Sequence, residues 1–211
     1  MKPPRNALFQ TCRPLILASS SPRRLDLLRD MGLDFTVLQA MVEETPHQGE
    51  TAACYARRMA AAKAGAVAAA HPQAWVIGAD TVVTLGAALL GKPRDRNHAL
   101  DMLRTLAGTT HQVLTAVTLC GRQEAFCETL IDSTEVTFNE AADRVLLAYI
   151  DTGEPLDKAG AYGIQGIGSF LVREIRGSYT NVVGLPLDLC LNLLQRNRII
   201  DILSPPPSVS L

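Results

Sequence analysis

The residues best suited to chemistry in this chain fall into six short, separated stretches. The first is Leu17-Ala18-Ser19-Ser20-Ser21-Pro22-Arg23-Arg24. It sets hydroxyls, backbone N–H groups and two guanidiniums where an apolar run gives way to a helix start. Such a junction takes anions, because the first N–H groups of a helix lack partners and its dipole is positive there. Ser19, Arg23 and Arg24 are the candidates, the arginines as forked donors that match phosphate oxygens. The second stretch is Gly78-Ala79-Asp80-Thr81. Asp80 just past an apolar strand would stand at the carboxyl edge of a sheet, where α/β proteins place ligands. A carboxylate there can hold a metal ion or take a proton from water.

The other four are shorter on signal. Glu43-Glu44 offers paired carboxylates in a loop, with Glu44 a metal-ligand candidate beside Asp80. Lys63 is a lone cation among small residues that let backbone come close. Gly91-Lys92-Pro93-Arg94-Asp95 is a rigid turn presenting Lys92. Asp157 to Gly166 sets Tyr162 and Gln165 between glycines, which suits close backbone approach to a planar ligand. Taken singly, each has a plainer reading: a capped helix, a turn Asp, solvated surface charges, ordinary glycine turns. The P-loop spacing is absent. The four histidines have no ligand spacing, and no nucleophile–base arrangement stands out.

The elements that must position these groups can be read in outline. Leu15 to Ala18 reads as a buried strand, Ser21 as a helix N-cap with Pro22 at the first helical position, and Gly32 as the stop. Phe35 to Leu38 reads as a second strand. The Ala-rich run from about Glu50 to Ala70 predicts a long helix. Trp75-Val76-Ile77 predicts a strand ending at Gly78 to Asp80, and Val82-Val83 with Leu89-Leu90 a hairpin around Gly86. Asp95 to Ala107 is helical. Val113 to Cys120 and Ala125 to Phe138 are β-rich about Gly121-Arg122. Asn139 can cap a helix to about Ile150, Phe170 to Val172 reads as a strand, and Pro186 opens a last helix. Consecutive strands in the middle favour a mixed sheet flanked by helices over a purely parallel one.

With 211 residues, 47% of them hydrophobic and 19% charged, the chain can bury a sizeable core. Lys+Arg 20 against Asp+Glu 21 leaves a formal net charge of −1, which argues against a broadly basic nucleic-acid surface. No apolar run reaches the roughly 18 residues of a membrane span. Residues 1–12 are polar with Pro3-Pro4 and read as a flexible extension, not a signal peptide. Residues 13–203 read as one domain and residues 204–211 as a Pro-rich frayed tail. Five cysteines at scattered spacings, without C-x-x-C, predict free thiols in a reducing compartment and a cytoplasmic protein.

LILASSSPRR, GADT, GKPRD, HQVLTAV, DKAGAYGIQG and GSYTNVVGLP follow one another between Leu15 and Pro186. In content and order they resemble the Maf family of nucleotide pyrophosphatases. The resemblance implies a bent mixed sheet with flanking helices and two lobes around a deep nucleotide-binding cleft. It implies hydrolysis of nucleoside triphosphates between the α- and β-phosphates, a divalent cation (Mg²⁺ or Mn²⁺), and homodimers, which are common in the family. By motif, Ser19, Arg23 and Arg24 would belong to the phosphate-binding start, and Glu44, Lys63, Asp80 and Lys92 to the polar cluster of the cleft. Asp80 would be the proton acceptor. Thr81 and Gln165, with Arg23, resemble the branch acting on dTTP and UTP. A Gln amide carries both a donor and an acceptor and can pair with the O4/N3–H edge of uracil or thymine. Modified pyrimidine triphosphates fit the same edge. The family has also been linked to septum formation, so a non-catalytic nucleotide-binding regulator of cell division is the rival expectation. Such a regulator would need the cations but not the carboxylates.

Overall fold

The computed structural model describes residues 7–203. Its chain opens with β1 (Phe9–Thr11) and β2 (Leu15–Leu17), then α1 (Pro22–Asp30) and a short β3 (Thr36–Val37). Ser21 stands at the N-cap of α1 in extended conformation, but its side chain makes no capping bond. Ser19 Oγ instead accepts from the Ser21 N–H at 3.2 Å. The Ala-rich run forms α2 (Ala52–Ala70), capped by Thr51 Oγ1 accepting from the Cys54 N–H at 3.2 Å.

Next come β4 (Trp75–Leu85), β5 (Ala88–Leu90) and α3 (Arg96–Leu106), whose N-cap Asp95 accepts from the His98 N–H at 2.8 Å. Two long strands follow, β6 (Thr110–Gly121) and β7 (Phe126–Phe138), then α4 (Asp143–Asp151). Three 3₁₀ turns lead to β8 (Val172–Arg176), α5 (Tyr179–Val183), α6 (Leu187–Arg196) and β9 (Ile200–Ile202).

The main sheet runs β3-β2-β4-β6-β7-β8, with β5 added to the outer half of β4. β2 pairs in parallel with β3 and β4, and every other pairing is antiparallel, so the sheet is mixed as expected. Alternation along β4 divides its neighbours. Ile77 and Ala79 join a core with Leu17 and Leu28, which α6 completes through Leu193 and Leu194. Val82 packs under α2 against Ala56, Met59 and Ala60. A separate core at the far end gathers Leu103, Leu106, Val136, Phe138, Leu146 and Leu171. The two lobes thus share the long strands β4, β6 and β7.

Several expectations are corrected. β4 does not end at Asp80 but runs on to Leu85, held by ten-residue pairing with β6 from Trp75↔Gly121 to Thr84↔Gln112. Asn139 does not cap α4; its Nδ2 donates to the Phe170 carbonyl at 3.0 Å, and Ala142 is the N-cap. Phe170 and Leu171 close a 3₁₀ turn, and the strand begins at Val172. Residues 9–11 of the expected extension are strand, paired with β9. Residues 1–6, and the expected frayed tail at 204–211, lie outside the described residues.

The thiols are not all free. Cys120 and Cys127 form a disulfide, because the hairpin turn at residues 122–125 makes them direct cross-strand partners. Cys12, Cys54 and Cys190 are free. Among the described residues no helix is long and apolar enough to cross a membrane.

Candidate active site

The site begins as a gap in the sheet. β2 leaves β4 at Leu17↔Ile77, and β5 rejoins the same edge only at Val83↔Leu90. Beside that break, residues 80–83 of β4 border a cavity of about 520 Å³. That is ample for a small ligand. Eight of the nine residues singled out above line it, all but Gln165.

On the α2 side, the missing side chain of Gly78 decides the geometry. A Cβ there would lie 2.4 Å from the Ala60 carbonyl oxygen and 2.7 Å from the Ala64 nitrogen. The helix therefore rests directly on the strand, and Lys63 reaches across it. Lys63 Nζ lies 2.7 Å from Asp80 Oδ1 and 2.7 Å from Glu44 Oε1. Glu44 comes from the irregular segment before α2. Tyr55 on α2 steadies that segment, donating its hydroxyl to the Glu44 carbonyl at 3.0 Å. Arg58 donates to the Thr45 carbonyl at 3.0 Å and pairs with Glu50.

Burial pushes the Asp80 carboxyl above its ordinary value, and the Lys63 charge only partly offsets that. Glu44 goes the other way. Burial opposes its charge, but the bond and charge of Lys63, with help from Lys92 and Arg24, hold it below the usual range. The Tyr55 hydroxyl is pushed up to about 12 by burial, with Asp80 and Glu44 adding to the effect.

On the other face of β4 stands Arg24. It is among the residues expected at the phosphate-binding start, and its guanidinium is engaged with the protein itself. Its Nε donates to the Gly184 carbonyl at 2.7 Å, and Nη1 donates to the Ala79 carbonyl at 2.9 Å and to Ser19 Oγ at 3.3 Å. Nη2 donates to Thr81 Oγ1 at 3.0 Å. Gly184 presents that carbonyl from φ +126, a backbone shape that favours glycine. The guanidinium is a brace joining α1, β4 and the end of α5. Thr81 extends it, with Oγ1 3.0 Å from Thr115 Oγ1, and Thr115 donates to the Asn181 carbonyl at 2.9 Å.

Arg23 differs from its neighbour. It is half-buried, and only Nε is engaged, donating to the Val183 carbonyl at 3.3 Å. Its terminal nitrogens make no hydrogen bond among the described residues and are available to an anion. Lys92 is exposed at the mouth, on a turn whose Gly91 carbonyl accepts from the Gly160 N–H at 3.1 Å. Gln165 is exposed and stands outside the lining, one residue beyond Ile164, which is part of it.

Two lining residues, Lys158 and Tyr55, escaped the sequence reading. Lys158 pairs with Asp157 at 2.7 Å and donates to the Glu154 carbonyl at 2.6 Å. It lies in the glycine-rich stretch already singled out, so its charge was the available signal. Tyr55 sits eight residues before Lys63, about two helical turns, on the same face of α2. Tyr162 is backed by His111, Nε2 to hydroxyl 2.9 Å, and burial lowers that imidazole to about 4.

Among the described residues no group of three His, Cys, Asp or Glu side chains converges. Asp80 and Glu44 nonetheless suit a hard divalent cation. Each keeps a second oxygen, Oδ2 and Oε2, that takes no hydrogen bond among the described residues. Mg²⁺ is commonly held by one or two carboxylates together with substrate phosphates.

The whole span from before β2 to the end of α6 matches a family profile described as Maf-like protein, over residues 14–197. The chain belongs to the Maf family. Relatives within it are close. The dTTP/UTP pyrophosphatase of Myxococcus xanthus is 54% identical over 182 residues, 86% of this chain and 91% of that one. The dTTP/UTP pyrophosphatase of Oleidesulfovibrio alaskensis is 50% identical, covering 91% of this chain and 89% of its own. The dTTP/UTP pyrophosphatase of Yersinia pestis is 51% identical, covering 82% and 87%. In this Maf chain the gap between β2 and β5 lies within the matched span.

Proposed function

We propose that this Maf protein hydrolyses dTTP and UTP, and modified pyrimidine triphosphates, between the α- and β-phosphates, releasing the nucleoside monophosphate and pyrophosphate. The names of relatives at about half identity over most of the chain support it. The observation that carries it is the carboxylate pair Asp80 and Glu44, set around Lys63 in a cavity that also holds Arg23, Lys92 and Lys158.

The cations on the cavity wall bind the polyphosphate and stabilise the charge that develops on the departing pyrophosphate. Asp80 and Glu44 would hold the divalent cation, Mg²⁺ or Mn²⁺. When bound it neutralises phosphate charge and polarises the phosphorus centre. Asp80 also takes the proton of the attacking water. Burial raises its carboxyl, which makes it a stronger base than an ordinary Asp. Ser19 and the N-terminal N–H groups of α1 receive a phosphate oxygen beside Arg23. The base lies toward the glycine-rich stretch, with Gln165 reading its edge. Arg24 and Thr81 hold the cavity wall.

On the same reading the chain works in the cytoplasm, where nucleoside triphosphates are made and used, and pairs with a second copy. A regulator of cell division without catalysis would have no use for the carboxylate pair. A panel of triphosphates with Mg²⁺ or Mn²⁺, scored for pyrophosphate against orthophosphate, tests the proposal. Pyrophosphate from dTTP and UTP is the expected result. Orthophosphate as the first product, or no product from any nucleotide, overturns it.

A further inference from the structure

Lys63 stands where a cation would stand. Its ammonium touches one oxygen of each carboxylate, at 2.7 Å from Asp80 and 2.7 Å from Glu44. The other oxygens of the pair remain without hydrogen bonds among the described residues. The three partners are held unequally. Asp80 is fixed in the middle of β4, and its side chain is 11% exposed. The Lys63 backbone is fixed in α2, which the Gly78 contact seats on the strand. Glu44 belongs to an irregular segment, and its side chain is 52% exposed. Only the Lys63 side chain and the Glu44 loop have room to rearrange.

We infer that Lys63 is a built-in counter-ion that closes the metal site to a free divalent cation and opens it only when a triphosphate draws the ammonium away. The inference rests on the proposed function and deepens it. With Lys63 in place, the two carboxylates retain a single uncompensated negative charge. A divalent cation entering alone would meet an ammonium within bonding distance of the same oxygens. Repulsion between like charges at such separations is large in a partly buried site. A bound triphosphate changes the balance. It offers Lys63 new oxygens on the same side as Arg23 and Lys92, and it supplies ligands of its own to the metal. Metal and nucleotide therefore enter together, and each raises the affinity for the other by the same factor. The nucleotide-free protein is spared adventitious metal. Lys63 is a positioning residue for the cation as well as a phosphate ligand.

The test compares wild type with Lys63→Met, which keeps the apolar stem of the side chain and removes its charge. Mn²⁺ binding to the nucleotide-free proteins is followed by electron paramagnetic resonance, with circular dichroism melting to verify folding. The expected result is Mn²⁺ affinity at least tenfold tighter in Lys63→Met than in wild type. The gain should vanish in Lys63→Met/Glu44→Gln. In wild type, adding a non-hydrolysable α,β-imido dTTP should tighten Mn²⁺ by at least tenfold, and in Lys63→Met by clearly less. Equal Mn²⁺ affinity in the two nucleotide-free proteins, or no measurable Mn²⁺ on either, overturns the inference. Pyrophosphate release by wild type on the same preparation keeps the readings apart. Pyrophosphate with equal Mn²⁺ affinities rejects the counter-ion alone, whereas no pyrophosphate rejects the proposed function.

Discussion

The two faces of β4 treat a buried cation in opposite ways. Toward α2, Lys63 meets two carboxylates, each with an oxygen to spare. One residue further along, toward α1 and α5, Arg24 meets two backbone carbonyls and two hydroxyls, and its contacts form a closed set. The first arrangement can trade one positive partner for another. The second holds three pieces of backbone and has little left to give a ligand. Unfilled bonding capacity, and not charge alone, distinguishes the two faces.

Asp80→Asn strikes the open face hardest. Removing the base should lower turnover on dTTP by about 10²–10⁴-fold. Folding should not suffer. Burial raises the Asp80 carboxyl in the folded chain, so between the ordinary and raised values the folded state holds a proton that the unfolded state has lost. Stability therefore falls as pH rises through that window, and the ionised carboxylate is a liability at neutral pH. The variant's melting temperature at pH 7 should match or exceed that of wild type. By the same sign, the acid limb of wild-type kcat/KM should lie above the ordinary value of 3.8. A variant that keeps wild-type turnover removes Asp80 from the chemistry.

The braced face should fail in stability. Arg24→Met leaves the Ala79 carbonyl without its donor and the Gly184 carbonyl with only the longer bond from Thr81 Oγ1 at 3.4 Å, and orphaned buried groups cost about 1–3 kcal/mol each. Urea unfolding should show a loss of about 2–5 kcal/mol. A loss below about 0.5 kcal/mol would erase the contrast between the faces.

Arg23→Met provides the paired control, one residue away. Only one of its nitrogens is engaged, so stability should change by less than about 0.5 kcal/mol. KM for dTTP should rise about tenfold, the loss of one charge-assisted contact. A large stability loss with unchanged KM would make Arg23 a second brace. Gln165→Glu is the mildest change. Steady-state rates on dTTP, UTP and a methylated guanosine triphosphate should show pyrimidine preference weakened a few-fold. An unchanged preference confines base reading to residues that line the cavity, Ile164 among them.

Much of this was legible from local pattern. Ser21-Pro22 marked α1, alanine content marked α2, and Asp95 marked α3. The six motifs converge on one cavity. What sequence left open depends on distant chain. Whether Asp80 ends a strand or sits within one is decided by β6, and the gap beside it exists because β2 stops at Leu17. Arg23 and Arg24 each donate Nε to a carbonyl 160 residues away; they differ in that Ser19, Ala79 and Thr81 also take up the Nη nitrogens of Arg24, and no spacing rule foretells that. The cysteine pair had a signal, since Cys120 and Cys127 are placed evenly about the hairpin turn. Counting cysteines by metal and redox spacings overlooked the mirror symmetry of a hairpin. Gln165 shows the converse, a motif residue whose neighbourhood in the folded chain is solvent.

The small sheet of β1 with β9 has a consequence of another kind. It joins Phe9 to Ile202, the widest separation of any strand pairing in the fold. Phe9, Ile199 and Ile200 are also part of the core beneath α1 and α6. That core cannot be sealed during synthesis until residues 199–202 have left the ribosome. Every nearer contact is free to form before it, which lowers the loop-closure entropy left to this pairing. The strands and helices around the cavity all precede β9 in the chain, so the sheet gap can be built before the hem is closed.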